Sequence, residues 1–224
     1  MLENSKVYDV IHRTVELKLE KNNLKRKLVQ DGIKGSFICE QCESKISDLE
    51  NYSSKFFKRD NFYRKANRKT IPDKNNSLKE ITYYELYGFD FKKIQKFLLS
   101  IYLRQHFYNL SIGNNPLIIS KHLGVLLKLY NETAIDYYTY PIAIYHMQPS
   151  DKLKGGGIVY QPYVCKMDGH YTLQFYAVDF YFILDISSHL GLFPEEFILK
   201  PAGLLMVSVD SYEIIMRTLK NSVS

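Results

Sequence analysis

Beyond about Asp136 the chain becomes three long runs rich in Tyr, Val, Ile and Phe: Tyr137 to Met147, Gly157 to Met167 and His170 to Leu184. β-Branched and aromatic side chains of this kind fit a pleated, half-buried surface, so the runs are expected as strands. Gly155-Gly156-Gly157 and Asp168-Gly169 separate them. Asp168-Gly169 supplies the positive φ angles that a two-residue hairpin turn requires. Pro201 and Gly203 precede a further short strand near Leu205–Val209, and Ser211 to Leu219 is expected as a closing helix capped by Asp210.

Upstream the apolar spacing is helical. Residues 4–28 place Val7, Val10, Ile11, Leu17 and Leu24 mainly on one side, until Asp31-Gly32 and Gly35 break the pattern. Glu40 to Lys58 repeats Cys42, Ile46, Leu49 and Phe56 at close to helical spacing. Residues 59–79, with Pro72, Asp73 and Asn75-Asn76, are expected as the main loop. Phe89-Asp90 opens a third helix to about Asn109, with Ile94, Phe97, Leu98, Ile101 and Phe107 inward. The turn Gly113-Asn114-Asn115-Pro116 leads to a fourth helix, Leu117 to Tyr130. Helices first and strands afterwards predict an α+β fold, with a helical N-terminal two-thirds followed by an antiparallel sheet and the closing helix. Residues 1–136 then form a mainly helical part and residues 137–224 a β-rich part. The two are expected to pack as one continuous unit, because no Gly/Ser-rich linker divides them.

Composition narrows the function classes. Of 224 residues 46% are hydrophobic, which is ample for a core and excludes wholesale disorder. Three cysteines are too few for a disulfide scaffold. Charges at Glu3, Lys6, Asp9, Arg13, Glu16 and Lys18 interrupt any secretory leader. The most apolar stretch, Tyr171 to Leu184, contains Thr172, Gln174 and Asp179 and does not read as a membrane span. The expectation is a cytoplasmic protein, without membrane association, whose Cys39, Cys42 and Cys165 are reduced.

The net charge is +6, and residues 1–80 carry all of it, with 18 Lys+Arg against 12 Asp+Glu. Between Ser53 and Thr70 stand Lys55, Lys58, Arg59, Arg64, Lys65, Arg68 and Lys69, against the single acid Asp60. Phe56, Phe57, Phe62 and Tyr63 are interleaved with them. Cations for phosphates and flat rings for bases are what a single-stranded nucleic-acid surface uses. The plainer alternative is a solvated basic loop whose aromatics turn back into the core.

Cys39-Glu40-Gln41-Cys42 is the sharpest local motif, since two thiolates at this spacing reach one tetrahedral zinc. A closed site needs two more ligands, and Cys165, His170 and His12 are the candidates. Two buried or spare thiols are the alternative. Redox chemistry of the thioredoxin kind would place the pair after a strand in a βαβ unit, which the pattern does not supply. His106 and His122 fall on helices as local structural residues. Gly155 to Gly157 lacks the following Lys-Ser/Thr of a phosphate loop, and no Gly-x-Ser-x-Gly elbow is present.

One group of segments resembles a set of bacterial and phage proteins with a Gln-Asp-Gly-x-Lys, Leu-Cys-x-x-Cys-Glu and Ser-x-x-Glu pattern. The residues are Val29-Gln30-Asp31-Gly32-Ile33-Lys34, Ile38-Cys39-Glu40-Gln41-Cys42-Glu43, Ile46-Ser47 and Glu50-Asn51-Tyr52. Asp90-Phe91 and Phe97-Leu98-Leu99-Ser100-Ile101 extend the likeness, which spans roughly residues 8–130. Members carry an upstream Ser-His-Ile-Ile-Pro segment similar to the histidine strand of HNH nucleases, where the histidine activates water beside a divalent metal. Here the counterpart is Tyr8-Asp9-Val10-Ile11-His12-Arg13, so Asp9 stands in the histidine position and His12 in that of the proline. The resemblance therefore implies a nucleic-acid-binding relative of metal-knuckle proteins, without intact catalysis, in a phage–host conflict setting. One alternative is a non-catalytic interaction subunit with a protein partner, favoured by 19 tyrosines and 13 phenylalanines. A metal-dependent nuclease using His12 is the other.

Overall fold

The computed structural model describes residues 14–20, 23–29, 39–73, 76–132, 137–148, 158–187 and 191–210. Its strands are β1 (Thr14–Glu20), β2 (Asn23–Val29), β3 (Asn67–Asp73), β4 (Asn76–Leu86), β5 (Ile142–Gln148), β6 (Ile158–Met167), β7 (His170–Val178), β8 (Phe180–Asp185) and β9 (Leu204–Asp210). Its helices are α1 (Glu40–Phe57), α2 (Arg59–Lys65), α3 (Phe91–Ser111) and α4 (Ser120–Asn131). β1 and β2 form a separate antiparallel hairpin, while the other seven strands form one mixed sheet in the order β3-β4-β9-β5-β8-β7-β6. All its pairings are antiparallel except β5 with β9.

The expected helical N-terminal two-thirds is overturned. Helices are interleaved with strands, and four strands precede α3. The helix read over 4–28 is a hairpin across residues 14–29, pairing Val15 with Leu28 and Leu19 with Leu24. Its Val15, Leu17 and Leu19 alternate with Glu16 and Lys18, a period of two that the wider helical count obscures. The loop read over 59–79 is α2 followed by the β3–β4 hairpin. Phe62 anchors α2, only 1% exposed. Pro72 is tolerated because β3 is an edge strand. The run His170 to Leu184 is two strands, folded back at Val178-Asp179 so that Ala177 pairs with Phe180. The closing helix read over 211–219 lies outside the described residues.

The sheet is covered on both faces. Phe180, Phe182 and Leu184 of β8 join Leu173 and Phe175 of β7 in the larger core, with Phe57, Phe62, Phe97, Leu98, Ile101 and Tyr102 from the helices. Tyr181 and Ile183, the alternate residues of β8, meet Ala143, Met147, Tyr176, Phe193 and Ile198 on the opposite face. Coverage on both sides is why β8 is buried throughout. Each fully buried ring contributes on the order of 2–3 kcal/mol. Phe57 sits edge-on to both Phe180 and Phe182. α3 is the central helix: Asp90 caps it by accepting from the Lys93 amide at 3.1 Å, and Tyr102 Oη donates to the Leu173 carbonyl at 3.0 Å. Asp168 (φ 47°) and Gly169 (φ 87°) make the β6–β7 turn as the sequence predicts.

Candidate functional site

α1 and α3 pack side by side, with α4 against α3. Between their outer faces lies a cavity of about 580 Å³. Its lining includes Lys45, Tyr52 and Lys55 of α1, Lys93 and Lys96 of α3, and Tyr130 and Asn131 of α4. Four lysines face one acid, Asp48, on its walls. Among the described residues none of these four lysines makes an ion pair.

Local sequence explains the arrangement. Lys45, Tyr52 and Lys55 follow one another at offsets that return to the same side of a helix. Lys93 and Lys96 occupy the first two turns of α3, whose first turn contains no acid. Cations there oppose the positive end of the helix dipole, at about 0.3–1 kcal/mol each. That end of the dipole is met by the Asp90 carboxylate, which accepts from the Lys93 amide. Tyr52 organises the group: its hydroxyl accepts from the Asp90 amide at 2.6 Å, tying α1 to the start of α3. Its ring carries the Lys93 ammonium at 4.8 Å from the centroid and that of Lys55 at 5.9 Å. Lys65 continues the chain of cations, 4.3 Å from the Phe56 ring centroid, and Phe56 packs on Tyr52.

The basic segment read from the sequence is thus distributed. Lys55 lines the groove, and Lys65 lies beside it over Phe56. Arg59 makes a bidentate pair with Asp179, both bonds 2.6 Å. Arg64 donates to the Asp60 carbonyl and to Asn61. Lys69 pairs with Glu85 at 2.6 Å across β3–β4. Lys58 is exposed at the bend between α1 and α2, and Arg68 is exposed on β3. Of the interleaved aromatics, Phe56, Phe57 and Phe62 are core residues, and only Tyr63 is exposed. Lys45, Lys93 and Lys96 were not singled out from the sequence. For Lys93 and Lys96 the signal was the lysines at the start of α3, legible only once α3 is set beside α1 with its Lys45.

A second polar cluster lies under α2. His146 is 2% exposed, with Nε2 2.9 Å from Tyr63 Oη and Nδ1 3.0 Å from Ser208 Oγ. Burial pushes its imidazole down to about 4, with Arg59 and Arg68 acting in the same direction and Asp179 against it. A neutral ring held between two hydroxyls locks α2 to the sheet.

The chain matches no family model, no curated protein and no solved structure. Cys39 and Cys42 are both exposed, at and just inside the N-terminus of α1. Among the described residues no group of three or more His, Cys, Asp or Glu is arranged to hold a metal ion. The suggested further zinc ligands are separately engaged: His170 Nδ1 is 2.7 Å from Asp185, and the Cys165 thiol faces the Lys166 carbonyl at 3.7 Å. His12 lies outside the described residues. His106 and His122 are local: His106 Nδ1 accepts from the Ile118 amide, and His122 Nδ1 is 3.0 Å from Tyr140 Oη. Among the described residues no helix is long and apolar enough to cross a membrane.

Proposed function

We propose that this chain is a nucleic-acid-binding protein that holds the sugar–phosphate backbone in the groove between α1 and α3. The observation that carries this reading is the convergence of Lys45, Lys55, Lys93 and Lys96 on one cavity with a single acid. Uncompensated like charges repel, so a fold that gathers them gains when a polyanion neutralises them. Both lysines that approach Tyr52 lie over its ring, which leaves it a scaffold for cations more than a platform for bases. The reading is therefore backbone recognition with little sequence preference.

The test is fluorescence anisotropy with labelled single-stranded and duplex oligonucleotides over a salt series. Four neutralised phosphates give a log–log salt slope of about −3 for single strands and about −4 for duplex. A slope near zero, or no binding at low salt, removes the reading.

A second reading, a non-catalytic interaction subunit, is favoured by the corner joining α3 to α4. There Phe107, Leu110, Ile112 and Ile119 are 37–50% exposed. Affinity purification of the tagged protein from its own cells tests it. A stoichiometric partner lost on Leu110→Ser/Ile112→Ser supports this reading, and an unaccompanied monomer opposes it.

A further inference from the structure

We propose that the groove takes a single strand in preference to a duplex, with Tyr130 of α4 as the surface on which a base stacks while Lys45, Lys55, Lys93 and Lys96 hold the phosphates beside it. This inference rests on the nucleic-acid reading above and names the class of strand that the same site takes.

The walls set the width. α1 and α4 each pack on α3, and packed helices stand about 8–10 Å apart between axes. Because a helix with its side chains is itself about 10–12 Å across, α1 and α4 leave an opening no wider than about one helix. A B-form duplex does not descend into such a slot, since its major groove alone is about 12 Å wide and admits a whole helix. It reaches only the rim. The cavity of about 580 Å³ has the size of a pocket that encloses a drug-sized molecule, and a nucleotide is a molecule of that class.

Depth separates the lining residues. Lys45, Lys55 and Lys93 are exposed, whereas Lys96 and Tyr130 are half-buried. The rim thus offers charge, which either form of nucleic acid meets. The interior adds an aromatic ring, which only an unpaired base can reach.

The two tyrosines of the groove are not equivalent. Tyr52 is committed to the protein: the ammonium groups of Lys93 and Lys55 lie over its ring, Phe56 packs on it, and its hydroxyl accepts from the Asp90 amide. Tyr130 packs in part against the larger core and also lines the groove. Among the described residues no ring stacks on Tyr130, no ammonium lies over it, and its hydroxyl has no hydrogen-bond partner. α4 has its apolar anchors elsewhere, in the buried Leu126 and Leu129. A half-buried ring with no partner, set in a cation-lined slot, is the combination that a sequence-tolerant single-strand site uses.

The experiment follows the anisotropy of a labelled oligothymidylate on the full chain at fixed salt, with three unlabelled competitors of equal length. They are the same strand, its duplex with oligoadenylate, and a strand with abasic residues through its centre. The intact single strand is expected to compete at least about tenfold better than the duplex. It is expected to compete at least about fivefold better than the abasic strand, which keeps the phosphates and lacks the bases to stack. Tyr130→Leu is expected to lose the preference for intact over abasic strand while keeping the salt slope, because the phosphate contacts are untouched. Tyr130→Phe is expected to keep the preference. The chain contains no tryptophan, so Tyr130→Trp supplies a single indole whose emission is expected to be quenched by the intact strand and not by the abasic one. The competitor series uses wild type alone and holds whatever the variants do to the fold. Equal competition by duplex and single strand, or by abasic and intact strand, overturns this inference and leaves the backbone reading standing. Tyr130→Phe as impaired as Tyr130→Leu overturns the stacking role. No binding of any strand at low salt removes the nucleic-acid reading, and this inference with it.

Discussion

Arg104 Nη2 donates to Glu50 Oε1 at 2.6 Å, and both side chains are more than nine-tenths removed from water. This buried pair joins α1 to α3, the two helices whose lysines line the groove. Arg104 Nε has no hydrogen-bond partner, so Glu50 is its principal compensation. Burial pushes the Glu50 carboxyl up while Arg104 pulls it down. Glu50→Ala leaves a buried guanidinium unpaired and is expected to destabilise by about 3–5 kcal/mol. Glu50→Leu combined with Arg104→Met removes both charges and is expected to recover most of that loss. Urea denaturation of the three proteins measures it, and a double variant less stable than Glu50→Ala contradicts the account.

The His146 cluster makes stability depend on pH. An unfolded histidine titrates near 6.5, whereas folded His146 is pushed down to about 4 by burial. Between these values the unfolded chain binds the extra proton, so its contribution is complete above 6.5 and is lost as pH falls toward 4. The full difference is on the order of 3 kcal/mol. His146→Gln is expected to flatten the stability profile between pH 6.5 and 4, read from urea midpoints at fixed ionic strength. An unchanged slope in the variant places the acid sensitivity elsewhere.

Arg59 and Asp179 form an unequal pair. The Asp179 side chain is 6% exposed and that of Arg59 is 44% exposed. Arg59→Ala strands a buried carboxylate, whereas Asp179→Asn leaves an arginine that solvent can reach. Arg59→Ala is therefore expected to cost more, about 2 kcal/mol against about 1 kcal/mol. Because α2 is held by this pair, its amides are expected to exchange faster in both variants. Hydrogen exchange monitored by mass spectrometry checks it, and protection of α2 unchanged in both variants contradicts it.

How far the sequence revealed this fold differs element by element. α3 was plain, because Asp90 is a sound cap and Ile94, Phe97, Leu98 and Ile101 repeat on one side. The β6–β7 turn was plain because Asp168-Gly169 advertises positive φ. The β7–β8 turn was not: Val178 and Asp179 adopt no positive φ, so no glycine or asparagine marks the reversal. Phe107, assigned inward from its spacing, is 37% exposed at the far end of α3. β3 was hidden by polar residues and Pro72, which an edge strand tolerates and a central one does not, and β4 by its mostly polar start, Asn76 to Glu80. The groove was half visible. Lys55 belonged to a basic cluster in the chain, but Lys93 and Lys96 come from a different helix, and only the packing of α1 on α3 brings them together.

The central claim is that the groove is an anion-binding surface, and Lys93→Glu/Lys96→Glu is its most direct test. Both residues lie near the N-terminus of α3, where glutamate suits the helix dipole, so the fold is expected to survive. Anisotropy with a labelled single strand is compared between wild type, this variant and Arg64→Glu/Lys69→Glu outside the groove. The account predicts at least about tenfold weaker binding and a shallower salt slope for Lys93→Glu/Lys96→Glu, with a much smaller change for the other variant. Equal losses in the two variants, or undiminished binding in the groove variant, would contradict it.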